Sequence, residues 1–183
     1  MVDRELYAII LGVSSGFGRA CAIELARIGY NIYGVHLDTG SNKEKAEEFR
    51  RSLEHLNIKA KFFNVNAADD AKRMEVIEAI KQDKENNPNH VLRVLIHSLA
   101  FGAIGPFFSE NPGDMPNKRQ IEMTMDVMAN SLVYWTQDLF KAKLLAENSR
   151  IFGLTSIGSQ RAMANYGAVS AAKAALEQRP IYE

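Results

Sequence analysis

Short apolar runs alternate along this chain with longer segments in which apolar residues recur every three or four positions. The short runs predict buried strands of a parallel sheet, at residues 6–11, 31–37, 59–65, 91–97 and 150–155. The longer segments predict helices at residues 20–28, 43–56, after Asp69 and Asp70, at 118–146 and within 154–177. Strands that alternate with helices in this way predict βαβ units, and therefore an α/β fold whose parallel sheet is covered on both faces.

Two of the predicted helices carry a clear apolar face. In residues 43–56 that face consists of Ala46, Phe49, Leu53 and Leu56. In the helix that follows Asp69 and Asp70, which can cap its amino end, it consists of Met74, Ile77 and Ile80. Residues 83–90 are polar and residues 101–116 are rich in Gly and Pro, so both segments are predicted to be irregular.

Composition narrows the class of protein. The chain has 183 residues, with 22 Lys and Arg against 22 Asp and Glu, and one cysteine. A net charge near zero argues against a nucleic-acid partner, which favours a basic surface. No apolar stretch resembles a signal peptide or reaches the roughly 18 residues of a membrane span. We therefore expect a single cytoplasmic domain over residues 1–183, with no membrane partner and no metal.

The first predicted strand ends in the sequence Gly12-Val13-Ser14-Ser15-Gly16-Phe17-Gly18, which is followed by a helix. A glycine-rich turn lets the backbone approach a pyrophosphate, and the amino end of the helix supplies free N–H groups with a partial positive charge. The position between a strand and a helix favours dinucleotide binding. The alternative is a tight turn that binds nothing.

The other candidate chemistry lies near the end of the chain, where Ser156, Tyr166 and Lys173 follow the fifth predicted strand. If residues 166–173 form a helix, seven steps return Lys173 to the face of Tyr166, about 10.5 Å along the axis. A phenol and an ammonium group would then share one face beside a loop of Ser, Thr and Gly. The alternative is a half-buried aromatic residue and an unrelated surface lysine.

Together these motifs resemble the short-chain dehydrogenase/reductase superfamily, over residues 6–177. His97-Ser98-Leu99-Ala100 after the fourth strand, and the Tyr-x6-Lys spacing of Tyr166 and Lys173, resemble its enoyl-acyl-carrier-protein reductase branch. The resemblance implies a Rossmann-like, doubly wound sheet and a bound nicotinamide dinucleotide. It also implies a homo-oligomer.

The resemblance assigns a set of residues to the cofactor. They are Gly12, Ser14, Ser15, Gly16, Phe17, Gly18, His36, Asp38, Asn64, Val65, Ser98, Leu99, Ala100 and Lys173. An acidic group at the end of the second strand accepts hydrogen bonds from the ribose 2′-OH and repels a 2′-phosphate. His36 occupies the aligned position and could tolerate a phosphate, whereas Asp38 could bind the ribose or could be a turn residue. The sequence leaves both NAD and NADP open.

The catalytic set implied by the resemblance is Tyr166, Lys173 and Ser156, with Lys173 also bonding the nicotinamide ribose and Ser156 orienting the substrate oxygen. The usual family tyrosine position falls on Val169, so the phenol is moved by about 4.5 Å along the helix. In enoyl thioester reduction, charge develops on the thioester oxygen, two carbons beyond the carbon that receives hydride, so a displaced donor suits that reaction. The alternatives are a 3-oxoacyl or other carbonyl reductase, and a truncated module that binds dinucleotide without turnover.

Family members continue beyond the position of Lys173 with two further strands, which have no counterpart in this sequence. We therefore expect five strands in the order 3-2-1-4-5, with the last strand at an open edge. Pro180 is expected to end the final helix.

Overall fold

The computed structural model describes residues 4–178 and contains the predicted parallel sheet. Its strands are β1 (Glu5–Leu11), β2 (Asn31–His36), β3 (Ala60–Asn64), β4 (His90–His97) and β5 (Leu145–Gly153). Their order is β3-β2-β1-β4-β5, and β1 pairs in parallel with both β2 and β4. The α/β class, the Rossmann-like topology and the strand order are confirmed.

The helices follow the strands in alternation. They are α1 (Gly16–Arg27), α2 (Ser41–Glu54), α3 (Asp70–Glu85), α4 (Lys118–Met125), α5 (Ser131–Lys141) and α6 (Gly167–Glu177). A π-helical turn, Asp126–Asn130, joins α4 to α5. Within residues 4–178, no helix is both long and apolar enough to cross a membrane. Pro180 lies outside the described residues.

The chain divides into two compact units. Among the described residues, one unit comprises residues 4–98 and 135–152, and the other comprises residues 99–134 and 153–178. The first unit holds the sheet and α1 to α3. The second holds α4, the π-helical turn and α6.

The core of the first unit is the centre of its sheet. Residues 8–11 of β1 have no exposed surface, because they lie in the middle strand with neighbours on both sides. Trp135, also fully buried, donates its indole N–H to the carbonyl oxygen of Ala67 at 2.8 Å. By contrast, β5 lies at the edge of the sheet, and every one of its residues is half-buried or exposed.

The prediction of one helix over residues 118–146 was wrong at its end. The helix ends at Lys141, and Lys143 adopts a left-handed φ of 54°. The N–H groups of Lys143 and Leu144 donate to the carbonyls of Phe140 and Leu139, which closes the helix as a Schellman motif does. Such a cap usually carries glycine, so a lysine there gave no signal. As a result β5 begins at Leu145, five residues before the predicted start.

Three smaller expectations were also wrong. Leu56 is 40% exposed because α2 ends at Glu54, so Leu56 lies in the turn that follows. Met74 is 51% exposed, and Arg73 takes the inward position, where its Nε donates to Asp138 at 2.8 Å. Residues 83–85 are helical rather than irregular, since α3 continues to Glu85.

The predicted cap of α3 is confirmed, because the Asp69 carboxylate accepts the N–H of Lys72 at 2.9 Å.

Candidate active site

The glycine loop lies between β1 and α1 in the first unit. The N–H groups of Gly12 and Val13 both donate to the carbonyl of Val35 in β2, at 2.8 and 3.2 Å. Gly16 begins α1 with a left-handed φ of 52°, a conformation that side chains rarely adopt. Ser15 precedes it in an extended conformation and makes no side-chain cap. The first N–H groups of α1 therefore have no partner inside the helix, as an anion site requires.

Close contact at Gly18 explains the last glycine of the motif. A Cβ at Gly18 would lie 2.0 Å from the carbonyl oxygen of Gly12 and 3.2 Å from the Cβ of Ser98. Ser98 itself is fixed by its N–H, which donates to the carbonyl of Leu11 at 2.8 Å. The loop therefore packs directly on the helix, with no room for a side chain between them.

Four other predicted cofactor residues form one hydrogen-bonded network. His36 Nδ1 lies 2.8 Å from a carboxylate oxygen of Asp38. The Asn64 amide accepts the N–H of Asp38 and donates to its carbonyl, both at 2.9 Å. The N–H of Val65 donates to the carbonyl of His36 at 2.8 Å. The ends of β2 and β3 thus hold the Asp38 carboxylate in one position, although the sequence had left open whether Asp38 was only a turn residue.

In the second unit, Lys173 is buried in α6 with 5% of its surface exposed. Its Nζ donates to the carbonyl of Leu154 at 2.6 Å. Burial lowers the pKa of Lys173 below its ordinary value, because the protein interior disfavours the charged form. Lys173 is therefore not the surface lysine of the alternative interpretation.

Tyr166 is the residue immediately before α6, with φ −108° and ψ 6°, and not a residue within the helix. Its carbonyl accepts the N–H of Ser170 at 2.7 Å, so its backbone is tied to the first turn. The half-buried ring lies against Gly158, where a Cβ would be 2.6 Å from Cε1. In the part of the chain that the structure describes, no hydrogen bond joins the phenol to Lys173.

Ser156 begins the short helical turn Ile157–Ser159. Its Oγ is buried, and so is the Oγ of Ser170; within residues 4–178 neither has a hydrogen-bond partner. Buried hydroxyl groups without partners are uncommon in folded proteins.

The predicted residues thus fall into sets that the two units hold separately. The first unit contains the glycine loop with Ser98, and the network at the ends of β2 and β3. The second unit contains Ser156, Tyr166 and Lys173, and it begins with Leu99 and Ala100. Phe17 is 78% exposed at the start of α1 and contributes no packing there.

Sequence reasoning missed three residues that shape the second set: Gly158, Ser170 and Glu177. Gly158 contacts the Tyr166 ring, and Ser170 lies one helical turn beyond Tyr166. Glu177 accepts hydrogen bonds from Thr155 and Ser159, both at 2.6 Å. The available signal was the spacing of Lys173 and Glu177, four residues apart on one helix face, beside a loop of hydroxyl residues.

Comparison with known protein families and sequences finds enoyl-acyl-carrier-protein reductases. A family model described as Enoyl-(Acyl carrier protein) reductase matches residues 12–179. An enoyl-acyl-carrier-protein reductase (NADH) of Pseudomonas fluorescens is 26% identical over 208 residues. That alignment covers 94% of this chain and 52% of the relative, so the chain spans about half the length of the curated relative it matches.

Solved structures share the fold. A mutant of a Serratia marcescens short-chain dehydrogenase/reductase superposes with a TM-score of 0.76 at 18% identity, covering 96% of this chain and 66% of that one. A Brucella melitensis 3-oxoacyl-acyl-carrier-protein reductase in complex with NAD has a TM-score of 0.74 at 22% identity, covering 94% and 64%. At these low sequence identities, the similarity shows a shared fold and does not show a shared activity.

Proposed function

Because the chain belongs to the enoyl-acyl-carrier-protein reductase family of short-chain dehydrogenases/reductases, we propose that it reduces trans-2-enoyl thioesters with a nicotinamide dinucleotide. The observation that carries the proposal is the pairing of a phenol seated against Gly158 with a buried Lys173 in the same unit. The displaced phenol suits charge that develops on a thioester oxygen rather than on a ketone.

The residues of the first unit fit a dinucleotide. Gly18 leaves no space for a side chain beside Gly12, and the amino end of α1 offers N–H groups to a pyrophosphate. When bound, the nicotinamide would supply the hydride to the β-carbon of the substrate. The chain's own residues would bind, orient and stabilise the reactants.

In the second unit, Tyr166 would donate its O–H to the thioester oxygen as negative charge accumulates there. Ser156 would orient that oxygen, and Lys173 would hold the nicotinamide ribose. The hydrogen bond from its Nζ to the carbonyl of Leu154 would hold Lys173 in position for that contact.

We propose NADH as the preferred cofactor. The Asp38 carboxylate stands at the end of β2, held on its side chain by His36 and on its backbone by Asn64. A carboxylate in that position accepts the ribose 2′-OH and repels a 2′-phosphate. The Pseudomonas fluorescens relative is named as an NADH enzyme, which supports the same choice. Asp38→Asn should narrow the difference between the dissociation constants of NADH and NADPH.

Steady-state rates on crotonyl and acetoacetyl thioesters, measured with NADH and with NADPH, test the reaction. We expect turnover of the enoyl substrate and a loss of about 10²- to 10⁴-fold in Tyr166→Phe, which removes the donor but keeps the ring. Tyr30→Phe is the matched control, because Tyr30 lies in the turn between α1 and β2. A preference for the keto substrate would instead assign a 3-oxoacyl reductase, the activity named for the Brucella melitensis neighbour.

A second candidate function is a module that binds dinucleotide without turnover. It would need only the glycine loop and the Asp38 network of the first unit, which fit a dinucleotide without Tyr166 or Lys173. Calorimetric titration with NADH beside the activity assay separates the two, since the module binds cofactor and reduces neither thioester. For the enzyme, we further propose carrier-bound acyl substrates of fatty acid biosynthesis, a cytoplasmic location and a homo-oligomer.

A further inference from the structure

Glu177 makes two short hydrogen bonds to the segment that contains Ser156. The hydroxyl groups of Thr155 and Ser159 each lie 2.6 Å from the same carboxylate oxygen, Oε1. Thr155 precedes Ser156 directly and Ser159 ends the helical turn that follows it, so the two bonds bracket Ser156. Hydrogen bonds from these two hydroxyl groups, Ser159 first, lower the pKa of Glu177, so the carboxylate is the form that they stabilise.

The Ser159 hydroxyl has two acceptors but only one proton. Its Oγ also lies 2.8 Å from the carbonyl oxygen of Ser156. Hydrogen bonds to an ionised acceptor are shorter and stronger than those to a neutral one, so Glu177 takes the larger share of that proton. The carboxylate therefore adds a side-chain anchor to a turn that is also closed by its own backbone, where the N–H of Ser159 donates to the carbonyl of Ser156 at 3.1 Å.

Ser156 has no side-chain anchor of its own. Its Oγ makes no hydrogen bond within residues 4–178, and it forms no side-chain cap on the turn that it begins. The backbone of Ser156 therefore sets where its Cβ lies and which rotamers its hydroxyl group can adopt. That backbone is held on one side by Lys173, through the carbonyl of Leu154, and on both sides by Glu177.

We propose that Glu177 is a positioning residue that fixes the backbone of Ser156 through Thr155 and Ser159, and so aims the hydroxyl group that orients the substrate oxygen. The last step rests on the proposed function, whereas the anchoring step does not. Glu177 itself touches no reacting atom. It acts through the two neighbouring hydroxyl groups, one helical turn beyond Lys173.

The chain offers variants that separate the anchor from simple packing. Glu177→Gln keeps an oxygen at the position of Oε1, which can still accept both hydroxyl protons, and removes only the charge. Glu177→Ala removes the acceptor. Thr155→Val removes one donor while keeping the shape of the side chain, and serves if Glu177→Ala fails to fold. Gln178→Ala is the matched control, since Gln178 is the next residue and is exposed.

The first measurement is hydrogen–deuterium exchange of the amides in residues 154–160, which needs no turnover. We expect faster exchange in Glu177→Ala and in Thr155→Val, and wild-type exchange in Gln178→Ala. Exchange in Glu177→Gln should lie between that of Glu177→Ala and wild type, because the amide oxygen is an acceptor without the charge. Unchanged exchange in both Glu177→Ala and Thr155→Val overturns the anchor.

The second measurement is the kinetics of enoyl thioester reduction. We expect kcat to fall by about tenfold or more in Glu177→Ala, because a small misplacement of a positioning group is costly. The dissociation constant of NADH should be unchanged, and kcat of Glu177→Gln should lie between that of Glu177→Ala and wild type. Faster exchange with full kcat would overturn the positioning role. If the wild-type chain reduces no thioester, the proposed function fails, and the exchange experiment still decides whether Glu177 anchors Ser156.

Discussion

Gly158→Ala tests whether the position of the Tyr166 ring controls turnover. The added methyl group would stand 2.6 Å from Cε1 and 2.7 Å from Cδ1 of the ring. Carbon atoms in favourable contact lie about 3.5–4.0 Å apart, so the ring and the backbone of Gly158 must separate by roughly 1 Å. Tyr166 lies just before the first turn of α6 and is the side that can give way.

The expected magnitudes follow from that displacement. Overpacking of this kind costs about 1–3 kcal/mol of unfolding free energy. A misplacement of about 1 Å in a catalytic group can cost on the order of 10²-fold in rate. We therefore expect kcat for an enoyl thioester, followed by the oxidation of NADH, to fall by about 10²-fold. Thermal unfolding should still be cooperative, and the NADH dissociation constant should be unchanged.

A double-mutant cycle with Tyr166→Phe provides the control. Phenylalanine presents the same ring to the same methyl group, so the steric clash is retained, but no hydroxyl group remains to be misplaced. In that background Gly158→Ala should lower kcat little further, and the two effects should be clearly non-additive. Full activity in Gly158→Ala, or two losses that simply multiply, would refute the link between ring position and turnover.

Three further outcomes are expected. Gly18→Ala places a methyl group 2.0 Å from the carbonyl oxygen of Gly12, so calorimetry should show NADH affinity reduced by at least about tenfold, or 1.4 kcal/mol. Unchanged affinity in Gly18→Ala would mean that the loop is only a turn. Lys173→Met keeps the buried stem but removes the ammonium group, and it should lower both kcat and cofactor affinity. If kcat and cofactor affinity are both unchanged, Lys173 only packs in the core. Burial lowers the pKa of His90 below its ordinary value near 6.5, so the unfolded chain binds that proton more readily. The contribution of neutral His90 to the free energy of unfolding is therefore complete above about pH 6.5 and is lost as the pH falls through the folded-state pKa. When the free energy of unfolding in urea is measured against pH, His90→Phe should lack this loss at low pH.

Much of the fold could be predicted from the sequence, because the strands of a doubly covered sheet are buried on both faces. Such strands are continuous apolar runs, and the predicted ends of β1 to β4 lie within one residue of the observed ends. The end of α5 could not be predicted, because its left-handed cap is formed by Lys143 and not by glycine. The inward position of Arg73 could not be predicted either, because it depends on an ion pair with Asp138, which is far away in the sequence.

For the candidate site too, some features depend on the residues alone and others on how the chain packs. The types and spacing of Gly12, Gly16, Gly18, Tyr166 and Lys173 are the basis on which cofactor binding and proton donation are proposed, because each group's chemistry is a property of the residue itself.

Only the tertiary structure decided which groups touch. It placed Tyr166 before α6 and not within it, seated its ring on Gly158, and directed Lys173 to the carbonyl of Leu154. It also brought Glu177 to the hydroxyl groups on either side of Ser156. Each contact joins α6, or the residue before it, to the segment after β5. A distance between separate segments depends on how they pack, whereas sequence periodicity reports only which face of a single segment is buried.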